Sequence, residues 1–211
     1  MLQAGRELFP QAGCSGLSVR AVAEQAGANL GMFHYHFKTK ENFLRTLLQQ
    51  VYEEMFDGLT HAIAHEGPAL ERLREALVVV GGLLREHRKV FARVWMDAVS
   101  GEPVAVEFLR DNAPRHLGVL LGLLEEAREE GVLRDLPPIQ RFVMLMGTVA
   151  LPIIFAAGLV EVAIRVPAFQ QQFDRQVMSD EAIAQRVDLV IDMLRSPPEP
   201  APRTRRRASS S

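Results

Sequence analysis

The chain has 211 residues, 48% of them hydrophobic, enough to bury the core of one or two compact domains. Its formal net charge of −2 excludes a molecule that coats nucleic acid by charge alone, so any affinity for a polyanion must be local. A single cysteine, Cys14, excludes an internal disulfide, fits a reducing cytoplasm and reads as a small core or turn residue.

Taken in order, Gly5, Leu8, Phe9 and Ala12 form a helical apolar stripe at the start. Ser18 then reads as the N-cap of a short helix whose Val19, Val22, Ala23 and Ala26 recur at i, i+3, i+4 and i+7. Gly27 stops that helix and Asn29 caps the next, in which Phe33 and Phe37 point inward. Met32, His34, Tyr35 and His36 are left facing outward, where rings with polar handles suit phosphates and base edges. Two short helices around a glycine turn, over residues 18–37, make a helix-turn-helix, whose second helix is built to enter a DNA major groove.

The charges around this unit agree. Arg20 and Lys40 each fall in the first turn of a predicted helix, where a cation opposes the macrodipole and wants an anionic partner such as a phosphate. Residues 1–50 hold five cations, Arg6, Arg20, Lys38, Lys40 and Arg45, against Glu7, Glu24 and Glu41. That modest excess predicts that two copies must pool their sites to bind DNA tightly.

Beyond Thr39, a cap, the chain reads as amphipathic helices with almost no strand alternation, which predicts an all-α fold. The spacing predicts a long helix from Lys40 to about His65, with Phe43, Leu44, Leu47, Leu48, Val51, Met55 and Leu59 along one side, shared by the DNA-reading unit and the rest. Further helices are predicted over 69–86, 88–99 and 103–130, the last started by Pro103 and stopped by Gly131. Another begins after Pro137 and Pro138, and a final one follows the cap Ser179 and ends near Arg195. From Phe142 to Val160 there is no charged residue, long enough to consider a membrane span. Gly147, Thr148, Pro152 and Gly158 within the run, Arg141 and Glu161 at its ends, and the lack of Trp or Tyr at either boundary favour instead a helix buried between its own domain and a second copy of the chain. With the last helix it would form a four-helix interface through Thr148, Pro152, Phe155, Ile183, Val187, Val190, Ile191 and Leu194.

Enzyme chemistry finds little support. His61 and His65 have the spacing of a helical metal pair, but the glutamate of an HExxH motif is missing, and there is no P-loop, dinucleotide glycine pattern or nucleophile elbow. We expect no enzyme, no metal and no cofactor; a helical adaptor or enzyme-like ligand-binding protein without sequence-specific DNA binding is the alternative.

The pieces ELF, AGCSGLSVRAVAEQAG and GMFHYHFKTKENFL, over about the first fifth of the chain, resemble the tetracycline-repressor (TetR/AcrR) family of transcription regulators. The resemblance implies an all-helical homodimer of about nine helices per subunit. A three-helix DNA-binding domain would occupy residues 1–46 and a ligand-binding and dimerisation domain 47–195; by composition 196–211 is a disordered basic tail, solvated by default, with added sequence-independent DNA affinity through Arg203, Arg205, Arg206 and Arg207 as the alternative. Met1 falls inside the family's first helix, so the start reads as truncated or misassigned. Carried over by position, Ser18, Val19 and Arg20 brace the DNA backbone, with Arg20 reaching toward a guanine. Asn29, Leu30, Gly31 and Met32 open the recognition helix, and His34, Tyr35, His36 and Lys40 hold phosphates or neighbouring bases. Two positions depart from the family pattern. Leu30 stands where Lys, Arg or Gln is common, which makes readout there apolar, as toward a thymine methyl. His34 stands where Tyr is usual, and an unperturbed imidazole titrates near pH 6.5.

The implied activity is that of a cytoplasmic repressor released from a double-stranded operator by a small, mostly apolar or aromatic inducer. Candidates to line the inducer cavity are Phe91, Trp95, Phe108, Met144 and Phe155, with Asn112 and His116 supplying orienting hydrogen bonds.

Overall fold

The structure, a computed structural model, describes residues 1–164 and 166–197, so the tail arginines lie outside the described residues. Helices account for nearly all of it. Three short ones, α1 (Leu2–Gly16), α2 (Val19–Gln25) and α3 (Leu30–Phe37), lead into the long α4 (Lys40–Ala62). Then follow α5 (Ala69–Glu86), α6 (Arg88–Val99) and α7 (Pro103–Glu129). A rod begins with α8 (Pro138–Leu145), passes through π-helical turns at Met146–Ala150 and Pro152–Ala156, and ends with α9 (Ala157–Ala163). After it come α10 (Pro167–Phe173), a π turn at Asp174–Met178, and α11 (Asp180–Leu194). With the rod counted as one helix and residues 167–178 as another, the described residues hold ten helices, one more than the nine expected; the addition is the 167–178 helix, which Pro167 starts. Extended pairing among the described residues is limited to one bridge, Leu133 with Arg195, which ties the α7–α8 loop to the end of α11.

The helix starts follow from capping. Ser18, Asn29, Thr39 and Ser179 each accept a bond from the backbone N–H three residues on, at 3.3, 2.9, 3.1 and 3.2 Å. α2 ends in a Schellman motif: Gly27 adopts φ 62°, its N–H reaches Glu24 O, and the Ala28 N–H reaches Ala23 O.

α4 runs unbroken across the boundary expected at residue 46 and packs most extensively on α5 and α7, with its first turns against α1 and α3. Its predicted apolar side, from Phe43 to Leu59, is buried throughout. One continuous core therefore runs from Phe9, Val22 and Phe33 through α4 into the larger helical body.

The uncharged run is not buried all round. Residues 138–160 are long and apolar enough, by composition, to cross a membrane. One side of the rod packs on α5, α6, α7 and α11 through Leu145, Val149, Ile153 and Ile154. The other leaves Ile139, Val143, Gly147, Leu151, Phe155 and Leu159 exposed, a row at every fourth residue. In a regular α-helix a four-residue spacing drifts by about 40° per step, or roughly 200° from first to last. The wider π turns wind that drift back and keep the row on one face. Pro152 contributes to this: it lacks the N–H that an α-helix would return to Thr148, and its ring crowds that carbonyl.

The interface expected of α11 requires correction. Ile183, Val187, Val190, Ile191 and Leu194 are at most 4% exposed and turn into the chain's own core, where α11 packs on α5. The outward side of α11 instead carries Leu189 and Met193, 63% and 51% exposed. Thr148 and Pro152 are half-buried on the rod's flank, and of the eight residues only Phe155 is exposed.

Candidate nucleic-acid interface

α2 and α3 share an inner side built from Val22, Ala23 and Phe33, with Phe33 packed against Phe37 and Phe43 at 5.3 and 5.2 Å between ring centroids. With Phe33 and Phe37 turned inward, the other side chains of α3 must project. Leu30 and Met32 are 46% and 47% exposed, Tyr35 is 82% exposed, and Gly31, His34 and His36 are exposed with them. Tyr35 and His36 meet edge to face at 5.1 Å, presenting adjoining polar rings. Lys38 follows in a left-handed conformation, φ 64°, which ends α3; its carbonyl lies 3.2 Å from His34 Nδ1.

The cations divide in a way that composition does not show. Arg6 is spent on Glu54, and Arg45 on Glu107 at 2.5 Å, both pairs joining α4 to its neighbours. Arg20, Lys38 and Lys40 are left beside the helix pair. Arg20 is solvent-exposed and bridges to Glu24 at 3.0 Å, an exposed i,i+4 pair of small net worth that a phosphate can replace. Lys40 does not wait for DNA to find a partner, as its place in the first turn of α4 suggested. Its Nζ donates to the Ser15 carbonyl at 2.6 Å, at the end of α1 where the helix dipole is negative and a cation is favoured. Its other N–H groups can still serve an anion. Ser18, Val19 and Asn29 lie at the starts of α2 and α3, so the residues named from the sequence do share this end of the molecule. Lys38 belongs with them by its exposure; its charge was legible, its left-handed backbone and carbonyl contact with His34 were not. Cys14, by contrast, is 3% exposed, and burial followed by its hydrogen bond to Asp97 pushes its thiol up to about 12, making it a core residue.

The residues expected to line an inducer cavity are not gathered around one chamber. Trp95 and Phe155 meet at 6.3 Å on the surface where α6 crosses the rod, 47% and 41% exposed. Phe108, Asn112 and His116 cluster instead around buried Tyr52 between α4 and α7, while Phe91 is buried and Met144 packs against the core. Asn112 exchanges two 3.1 Å hydrogen bonds with Gln49 and donates to Phe108 O at 2.9 Å. A buried amide must be satisfied, and this one is satisfied by the protein rather than free to orient a ligand. The α4–α7 surface beside it holds a groove of about 630 Å³ lined by Phe108, Asn112 and polar residues including Arg45, Gln49, Glu53 and Asp111.

Residues 1–47 match the family model described as bacterial regulatory proteins, tetR family. No curated protein matches the sequence significantly. Among solved structures, the chain is similar to the ketosteroid transcriptional regulator KstR2 of Mycobacterium tuberculosis, with TM-score 0.65 and 18% identity over 93% of each chain. It is also similar to the regulator PfmR of Thermus thermophilus, with TM-score 0.65 and 20% identity over 90% of this chain and 96% of that one. A third is FadR of Bacillus subtilis, solved with stearoyl-CoA, with TM-score 0.63 and 18% identity over 91% and 94%. These likenesses show the fold, and residues 1–47, the unit that bears Arg20, the α3 rings and Lys40, match the model of the tetR family of bacterial regulatory proteins.

Proposed function

We propose that this chain is a ligand-responsive DNA-binding transcription regulator, acting in the cytoplasm as a homodimeric repressor that a small apolar molecule releases from its operator. The observation that carries the reading is the exposed face of α3, where Leu30, Met32, His34, Tyr35 and His36 project beside Arg20 and Lys40. Leu30, Met32 and the rings are poised for base edges, and the cations for the flanking phosphates.

A second copy would dock on the exposed rod row and on Leu189 and Met193 of α11, setting two α3 helices about 34 to 36 Å apart for successive major grooves. A ligand that favours another spacing lowers DNA affinity, by no more than its differential affinity for the two states. The apolar ligand class rests on the surface pair Trp95 and Phe155 at the α6–rod crossing, together with one neighbour named for ketosteroid regulation and another solved with stearoyl-CoA.

The test is selection of bound fragments from the source genome by the full-length protein, followed by sequencing. Enrichment of fragments sharing an inverted repeat, with half-sites about one helical turn apart, is the expected result. No enrichment over unselected DNA at low ionic strength would overturn the reading.

A further inference from the structure

α1 is interrupted near its end. At Gly13 the backbone takes φ 67° and ψ −171°, which leaves the following amide, that of Cys14, without a helical acceptor. That N–H donates instead to Asp97 Oδ2 of α6, at 2.7 Å. Arg93, one turn earlier on α6, donates Nε to Oδ1 of the same carboxylate at 2.9 Å, and its guanidinium occupies the space a side chain at Gly13 would need. Asp97 is 3% exposed, so its charge is compensated by these two elements rather than by water. The short turn held this way, residues 14–16, offers the Ser15 carbonyl to Lys40 Nζ and runs directly into Ser18 and Arg20 at the head of α2. A chain of hydrogen bonds therefore runs from α6, whose opposite side carries exposed Trp95, through one turn of α1 to a cation of the DNA face.

We infer that Asp97 is a positioning residue for DNA binding: through the Cys14 amide it fixes the turn whose Ser15 carbonyl seats Lys40. The inference rests on the proposed DNA-binding reading and adds to it a residue of the larger helical body that touches no DNA.

The test is a double-mutant cycle read by fluorescence anisotropy on a labelled mixed-sequence duplex at low ionic strength, with Asp97→Asn, Lys40→Ala and both together. Removing a negative charge by itself favours binding to a polyanion, and Asp174→Asn, an exposed residue far along the chain, measures that background. The expected result is that D97N weakens binding about fivefold or more when Lys40 is present and less than about twofold when it is Ala, the non-additivity of residues acting as one unit. An equal loss in both backgrounds would mean general loosening of the fold, and no loss would mean that the turn does not govern Lys40; either overturns the inference. If the wild-type protein itself fails to bind the duplex, the DNA-binding reading fails first. Should D97N not fold, Arg93→Gln carries the same cycle, because it removes the second support of the same carboxylate.

Discussion

Inside the molecule, polar side chains are spent on joining helices. Tyr52, 2% exposed, donates from its hydroxyl to Asn112 O at 2.8 Å, and the Arg115 guanidinium lies 5.0 Å from its ring centroid and 4.2 Å from that of Phe56 while binding Glu53. His116 completes this cluster with Nδ1 3.5 Å from the Tyr52 hydroxyl, and burial holds its imidazole below the ordinary histidine range. Because the unfolded chain then binds a proton more readily than the folded one, stability is full above the ordinary histidine pKa of about 6.5 and declines as pH falls toward the depressed folded value. The slope is at most about 1.4 kcal/mol per pH unit from this one proton. Thermal unfolding followed at pH values on either side of that window should show the acid loss in the wild type and a shallower one in His116→Phe; equal slopes would remove His116 as its source. Such a cluster was not legible in the sequence, whereas the caps Ser18, Asn29, Thr39 and Ser179 were. A cap finds its partner three residues away, while Asn112 finds Gln49 across 63 positions and Lys40 finds Ser15 across 25.

At the scale of elements, periodicity reports that a helix has an apolar side but not which body covers it. The α11 stripe was read correctly as apolar and assigned to a second subunit, yet it is covered by α5 because Gly81 lets the two helices come close. A Cβ at Gly81 would stand 2.6 Å from Ile183 Cγ2, a buried atom with nowhere to go. The helix-propensity gain of Gly81→Ala, about 1 kcal/mol, is thus set against overpacking of about 1 to 3 kcal/mol, and the net expectation is a loss of stability. Gly122 on α7 is the control: it is exposed, nothing lies within 4 Å of its would-be Cβ, and Gly122→Ala should stabilise by about 0.5 to 1 kcal/mol. Urea unfolding would check both, and G81A made in an Ile183→Ala background should lose its cost. A G81A protein as stable as G122A would show that α5 and α11 are not this closely packed. Register changes inside the rod left no such trace, since Pro152 announces a break in the α pattern but not the π turns that absorb it.

At the scale of the whole molecule, the two proposed surfaces were not equally legible. The helix pair of the proposed DNA face was readable because its turn chemistry, inward phenylalanines and cations all lie within about forty consecutive residues. The face proposed for a second copy draws on the rod and α11, and only the folded chain shows that Ile139, Val143, Leu151, Phe155, Leu159, Leu189 and Met193 are exposed there. Leu151 sits midway along the rod row, between the two π turns, and is 50% exposed, so a charge there is tolerated by the isolated subunit but not by an apolar interface built on that row. Leu151→Arg should therefore leave the helical signal and melting of the subunit nearly intact while sedimentation changes from dimer to monomer. In the proposed complex each subunit would hold one major groove, so operator affinity should fall about a hundredfold or more with the loss of the linked second site. The added positive charge favours DNA by itself, so the loss runs against simple electrostatics. A Leu151→Arg protein that remained dimeric and bound operator as before would place the interface on another surface and detach the π-turn row from DNA binding.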